Sequence, residues 1–176
     1  AAISLCLNLG LKENTIKKAL RNFSGVQRRL TKVFKKNKVE FYDDYAHHPT
    51  EIESVLEGVR IVAKKRKIIS VFQPHRYSRI KSLKLEFSSC FKNSDQVILC
   101  PIYAAGERID KTYDVNKFAK LISKLSKAQV IIIQNENDLT KYFKKNLIKD
   151  EIIIGMGAGS ISKWMRELKS RLWIYK

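Results

Sequence analysis

The chain has 176 residues, 44% of them apolar, which is enough for one well-packed domain with a small appendage and excludes a disordered chain. Its 35 Lys and Arg against 17 Asp and Glu leave a net charge of +18, which raises nucleic acid or an anionic membrane surface as partners. Against both, the lysines are scattered along every helix-like segment, no basic stretch has interleaved aromatics, and no apolar run approaches the roughly 20 residues that cross a bilayer; the expectation is no nucleic acid, no membrane, and a field favouring anionic small ligands.

Ala1 to Asn22 reads as helical, with Leu5, Leu7 and Leu9, then Ile16, Ala19 and Leu20 at helical spacing, and a break at Gly10. The chain starts on Ala1, inside an apolar helix and without the basic segment of a secretory signal, so it reads as cut from something longer. Phe23 to Val26 reads as a loop, and residues 27–30 lead into a new segment. The expected boundary puts 1–28 in a tail and 29–176 in a second domain.

From there the pattern alternates. Val39 to Tyr42 reads as a strand, and Pro49 opens a helix with Ile52, Val55, Leu56, Val59 and Val62 on one face. Lys67 to Phe72 reads as a strand, Ser78 to Phe91 as a helix, Gln96 to Ile102 as a strand and Asn116 to Leu125 as a helix. Gln129 to Ile133, Asn137 to Leu147, Glu151 to Ile154 and Ser160 to Leu172 continue as strand, helix, strand and helix. Five alternations with continuous apolar strands predict an α/β fold, a mostly parallel sheet with helices on both faces.

All three histidines fall in two segments, Asp43-Asp44-Tyr45-Ala46-His47-His48-Pro49-Thr50-Glu51 and Gln73-Pro74-His75-Arg76-Tyr77-Ser78-Arg79. Each follows a strand and precedes a helix, where open parallel sheets bind ligands, so both are expected on adjacent loops of one rim. Arg76 and Arg79, three apart at a helix start, read as a receptor for a carboxylate or phosphate. His47, with Tyr45 beside it, reads as a functional histidine, and His48 as a structural residue ahead of Pro49. Asp44, at a strand end, suits either a ribose hydroxyl or a turn cap. No third histidine or cysteine joins the His-His pair, so no metal site is expected. Gly155 to Ser160 reads as a close-packed strand-to-helix turn, because no later strand carries the acidic ribose partner of a dinucleotide site. Pro101 to Glu107 is a third rim loop. Cys6, Cys90 and Cys100 lack the spacing of a zinc site or a disulfide framework and read as buried free thiols in a reducing cytosol.

These motifs resemble the Mur ligase family, which acts on UDP-N-acetylmuramate. The histidine segments, Tyr103 to Glu107, Gly157-Ala158-Gly159 and Gly25 to Arg29 are together most similar to its alanine-adding branch. The resemblance implies a Rossmann-like C-terminal domain that grips the amino acid and closes over the nucleotide, preceded by the tail of a central ATP-binding domain. It implies cytoplasmic peptidoglycan synthesis: ATP and Mg2+ activate UDP-N-acetylmuramate as an acyl phosphate, and L-alanine attacks it. Carried onto this sequence, Arg76 and Arg79 hold the alanine carboxylate, Tyr45 and the catalytic candidate His47 line the pocket and orient the amine, Asp44 takes the ATP ribose, and Arg29 reaches the ATP phosphates. A hinge is expected near Gly25 to Arg29.

Two departures stand out. Ser160 replaces an Asp usual after the last glycine of the turn. No Gly-Lys-Thr phosphate loop or magnesium-ligand set occurs in the chain, so the metal ligands belong to a preceding domain and the 176 residues alone are expected to be inactive. The alternatives are a ligase that recycles the murein tripeptide, or a basic nucleotide-binding module without catalysis.

Overall fold

The computed structural model describes residues 2–23, 25–146 and 150–173. Ala1, Ser24 and Leu147, which the sequence reading places in elements, lie outside them. The first segment forms two helices, α1 (Ala2–Asn8) and α2 (Glu13–Arg21), parted around Gly10 as the sequence predicts. They enclose little: Ile16 is buried, while Ile3, Leu5, Leu7, Leu9 and Leu20 are exposed.

A six-stranded sheet follows. Its strands are β1 (Thr31–Lys36), β2 (Val39–Asp44), β3 (Ile68–Phe72), β4 (Gln96–Leu99), β5 (Gln129–Ile132) and β6 (Ile152–Met156). Between and after them run α3 (Pro49–Ala63), α4 (Tyr77–Ser82), α5 (Lys84–Ser89), α6 (Val115–Ser126), α7 (Glu136–Asn146) and α8 (Ile161–Trp173). The strand order is β1-β2-β6-β3-β4-β5. All neighbours are parallel except β1, which pairs antiparallel with β2.

The sheet is buried on both faces, which explains its unbroken apolar strands. On one face Ile52 and Leu56 of α3, Ile80 of α4, Phe87 of α5 and Ile122 of α6 pack on Ile68, Phe72, Leu99 and Ile154. On the other, Leu139 and Phe143 of α7 and Met165 and Leu168 of α8 pack on Phe41, Ile69, Ile98 and Ile153. Each such side chain contributes about 1.5–3 kcal/mol by leaving water.

Several expectations change. Val62, expected on the inward face of α3, is exposed, and Ala63 takes the buried place. β1 was not read as a strand, because its lysines leave Phe34 as its one buried residue, a pattern suited to a charged sheet edge. The helix read over 78–91 is two short helices, parted at Leu83 (φ −116°, ψ 32°), with no glycine or proline to mark the break. The two histidine loops share a rim but are not on neighbouring strands, since β6 lies between β2 and β3. Cys90 and Cys100 are buried and burial pushes both thiols up, which makes them inert, whereas Cys6 is only half-buried. No helix among the described residues is long and apolar enough to cross a membrane.

Candidate active site

The glycine turn after β6 joins the two histidine loops. Gln73, at the end of β3, sends its amide to Met156 O (3.0 Å), accepts the Ile161 amide on Oε1 (3.0 Å) and donates from Nε2 to Ser160 Oγ (3.0 Å). Ser160, the departure noted above, is therefore a partner of Gln73. From the β2 side, Arg28 donates to Gly157 O at 2.6 Å. The turn needs its glycines here: a Cβ on Gly157 would stand 2.8 Å from Gln73 O.

The loop after β4 grips the second motif. Arg76 N donates to Tyr103 O (2.9 Å), Tyr103 N donates to Pro74 O (2.8 Å), and His75 and Tyr103 form a bridge. Glu107 accepts the Ser78 amide (3.1 Å) and the Ser78 hydroxyl, fixing the start of α4. Those Ser78 bonds outweigh desolvation and hold the Glu107 carboxyl below its usual range. Arg76 itself has φ 69°. A left-handed residue other than glycine costs about 1–3 kcal/mol and persists only where its surroundings impose it. Arg76 thus precedes the helix and does not share a helical face with Arg79 in the expected way. Both guanidinium groups nonetheless act on His75.

The first motif is braced differently. Asp44 is 2% exposed; its oxygens accept the amides of Leu30 (2.6 Å) and Ala46 (2.7 Å), tying the 26–30 segment to the strand end. Glu51, in the first turn of α3, accepts the amides of His47 (3.0 Å) and His48 (3.2 Å). Burial pushes the Glu51 carboxyl up, but those amides hold it below its ordinary value. His47 Nδ1 lies 2.9 Å from Tyr45 O and 3.3 Å from Glu51 Oε2, so its ring is oriented. His48 is the exposed N-cap residue of α3, and Arg29 is exposed with its charge reaching Glu51.

A band of rings crosses the rim. The Arg28 guanidinium sits 4.6 Å from the Tyr45 ring centre. Ring centres are 5.0 Å apart for Tyr45 and His47, 5.9 Å for His47 and His75, and 5.7 Å for His75 and Tyr103. In the second histidine motif two polar atoms are enclosed without a hydrogen-bond partner, His75 Nδ1 and Arg79 Nη1. Burial, and then the charges of Arg79, His47 and Arg76, push the His75 pKa down. The structure thus brings together Tyr45, His47, Arg76 and Arg79 around a neutral imidazole. The sequence reading gave no role to His75, Arg28, Tyr103 or Glu107; the signal for His75 was its place between Pro74 and Arg76. Among the described residues no three His, Cys, Asp or Glu side chains gather as a metal group, so these residues do not fit Mg2+.

Residues 28–159 match the family described as Mur ligase, glutamate ligase domain. The chain is 51% identical over 168 residues to a UDP-N-acetylmuramate–L-alanine ligase of Pelagibacter ubique (strain HTCC1062), covering 96% of this chain and 36% of that protein. It is 38% identical to one of Agrobacterium fabrum, covering 98% of this chain and 36% of that protein. The chain thus spans a little over a third of the length of these relatives. Among solved structures, UDP-N-acetylmuramate-alanine ligase of Thermotoga maritima superposes with a TM-score of 0.78 at 25% identity, covering 96% of this chain and 35% of that one. A murein peptide ligase of Psychrobacter arcticus shares the fold, with a TM-score of 0.70 at 19% identity, covering 99% of this chain and 36% of that one. With residues 28–159 matched by that family model, the chain belongs to the Mur ligase family.

Proposed function

We propose that this chain is the amino-acid-gripping part of an ATP-dependent ligase that joins L-alanine to UDP-N-acetylmuramate in the cytoplasm. The observation that carries the reading is the pair of enclosed, unpartnered atoms, Arg79 Nη1 and His75 Nδ1, beside the Arg76 guanidinium. A buried donor without a partner is expensive, and an amino-acid carboxylate is the group that would complete it. Residues 1–28 read as the tail of a preceding ATP-binding domain.

In the complete enzyme the γ-phosphoryl group of ATP would pass to the UDP-N-acetylmuramate carboxylate with release of ADP, and phosphate would leave as the L-alanine amine attacks; any Mg2+ that assists would be held outside this chain, whose described residues gather no metal group. Arg76 and Arg79 hold the alanine carboxylate, which fixes one end of a small substrate. Tyr45 and His47 then face its amine, whose nitrogen must arrive at the acyl carbon with a free lone pair. His75, kept neutral by burial and then by its cationic neighbours, adds no further charge against an incoming ammonium and leaves a ring nitrogen open. Arg29 reaches the ATP phosphates. Asp44 holds the loop that carries Arg29 through the Leu30 amide; a ribose contact on Asp44 requires one of its oxygens to accept a second hydrogen bond.

The test is Arg79→Ala in the complete enzyme. The expected result is a rise in the KM for L-alanine, worth about 2–5 kcal/mol for one partner of a buried charged pair, with little change in the KM for ATP. Equal effects on both would overturn the assignment. Turnover of the murein tripeptide in place of L-alanine by the unaltered enzyme would select the recycling ligase instead.

A further inference from the structure

Adjacent residues of a strand point to opposite faces. Asp44 and the histidine band lie on the α3 side, and Asp43 points to the α8 side. There a cavity of about 400 Å³ opens between β1 and α8, lined among others by Arg28, Thr31, Lys32, Asp43, Arg166 and Lys169. Asp43 is 3% exposed. Its Oδ2 accepts the Ser162 hydroxyl and lies 3.9 Å from Arg28 Nε and 3.8 Å from Arg166 Nη1. Its Oδ1 has no partner, and neither has Arg28 Nε.

This ion-pair network is not closed. A buried carboxylate stands within reach of two guanidinium groups, yet hydrogen-bonds to neither. Arg166 donates to Ser162 Oγ (2.8 Å), Arg28 donates to Gly157 O (2.6 Å), and Lys32 is paired with Glu40. The wall therefore carries one enclosed acceptor, one enclosed donor and an excess of positive charge. A bare anion would satisfy the donors and meet the Asp43 carboxylate with repulsion. A bare cation would do the reverse. The complement is a group that presents anionic oxygens and a hydroxyl together.

We infer that this groove is a second anion site, one that takes a phosphate group bringing its own hydrogen-bond donor. The donor, a P–OH or a sugar hydroxyl, meets Asp43 Oδ1. The phosphate oxygens accept from Arg28 Nε, Arg166 and Lys169. The site shares Arg28 with the amino-acid rim, but its other named residues belong to β1, β2 and α8, and it does not depend on the reading of that rim.

The experiment is calorimetric titration of the complete protein carrying this chain with inorganic phosphate and, separately, with ribose 5-phosphate. The variant is the double substitution Arg166→Gln and Lys169→Gln, both on the exposed side of α8, and Arg79→Ala is the control. Binding weakened about tenfold or more by the double substitution, and kept by Arg79→Ala, supports the site. Sensitivity for inorganic phosphate then points to the free ion, and sensitivity for ribose 5-phosphate alone points to a sugar phosphate. Binding of neither ligand, or binding indifferent to the double substitution, overturns it.

Discussion

Tyr103 lies so close over Gly159 that a Cβ there would stand 2.5 Å from its Cγ, and 2.6 Å from Gln73 Oε1. The loop after β4, the end of β3 and the turn after β6 are therefore one knot. The bareness of Gly159 permits it.

Gly159→Ala should loosen that knot. Tyr103 is half in solvent and can swing, but Gln73 is 3% exposed and bonded on both ends of its amide. Overpacking of this kind costs roughly 1–3 kcal/mol. The expected outcome is a lower denaturation midpoint with an unchanged slope. An unchanged midpoint would mean that Gln73 is not held as described.

Arg79→Lys tests geometry separately from charge. Lysine keeps the positive charge but not the planar fork that meets a carboxylate with two parallel bonds. In the complete enzyme the KM for L-alanine should rise by about tenfold or more, a loss of at least ~1.4 kcal/mol. Unaltered alanine kinetics would reduce Arg79 to a point charge.

Much of the fold was legible because its strands are continuous and apolar and its helices keep one inward face, as in Ile52, Leu56 and Val59. The edge strand β1 was not, since its burial rests on Phe34. For the site, residue types pointed to Tyr45, His47, Arg76 and Arg79, but their supports did not show. The left-handed backbone of Arg76 is imposed by Tyr103, 27 positions further on by their numbers. The order of strands, which puts the glycine turn between the two histidine loops, depends on a late strand inserting between earlier ones. Local pattern carries no record of such long-range choices.

His75 should leave a mark on the pH dependence of stability. Its pKa in the fold lies below the ordinary 6.5, through burial first and then Arg79, His47 and Arg76. Between the two values the unfolded chain binds the proton and the native protein does not, so stability rises with pH across that window. The contribution is complete above the unfolded pKa and is lost as pH falls through the native one. Denaturant midpoints measured across this range should fall more steeply on acidification for the wild type than for His75→Phe. Parallel curves would show that His75 is not held neutral by the fold.

Glu107 is the last link between the rim loops. Its carboxylate accepts both the amide and the hydroxyl of Ser78, one residue beyond Tyr77 and directly before Arg79. It touches neither arginine through a hydrogen bond, so its part is to position them. Glu107→Ala frees the start of α4 and removes one support of the left-handed Arg76. Because a cap of this kind is worth about 0.5–2 kcal/mol, the fold should survive. The KM for L-alanine should rise while that for ATP stays, since the ATP contacts proposed here lie on Arg29 and Asp44 and not on α4. Glu107→Gln keeps an acceptor oxygen for the Ser78 amide and should restore most of the alanine affinity. A purely structural residue would instead lower the melting temperature and leave the two KM values in their original ratio.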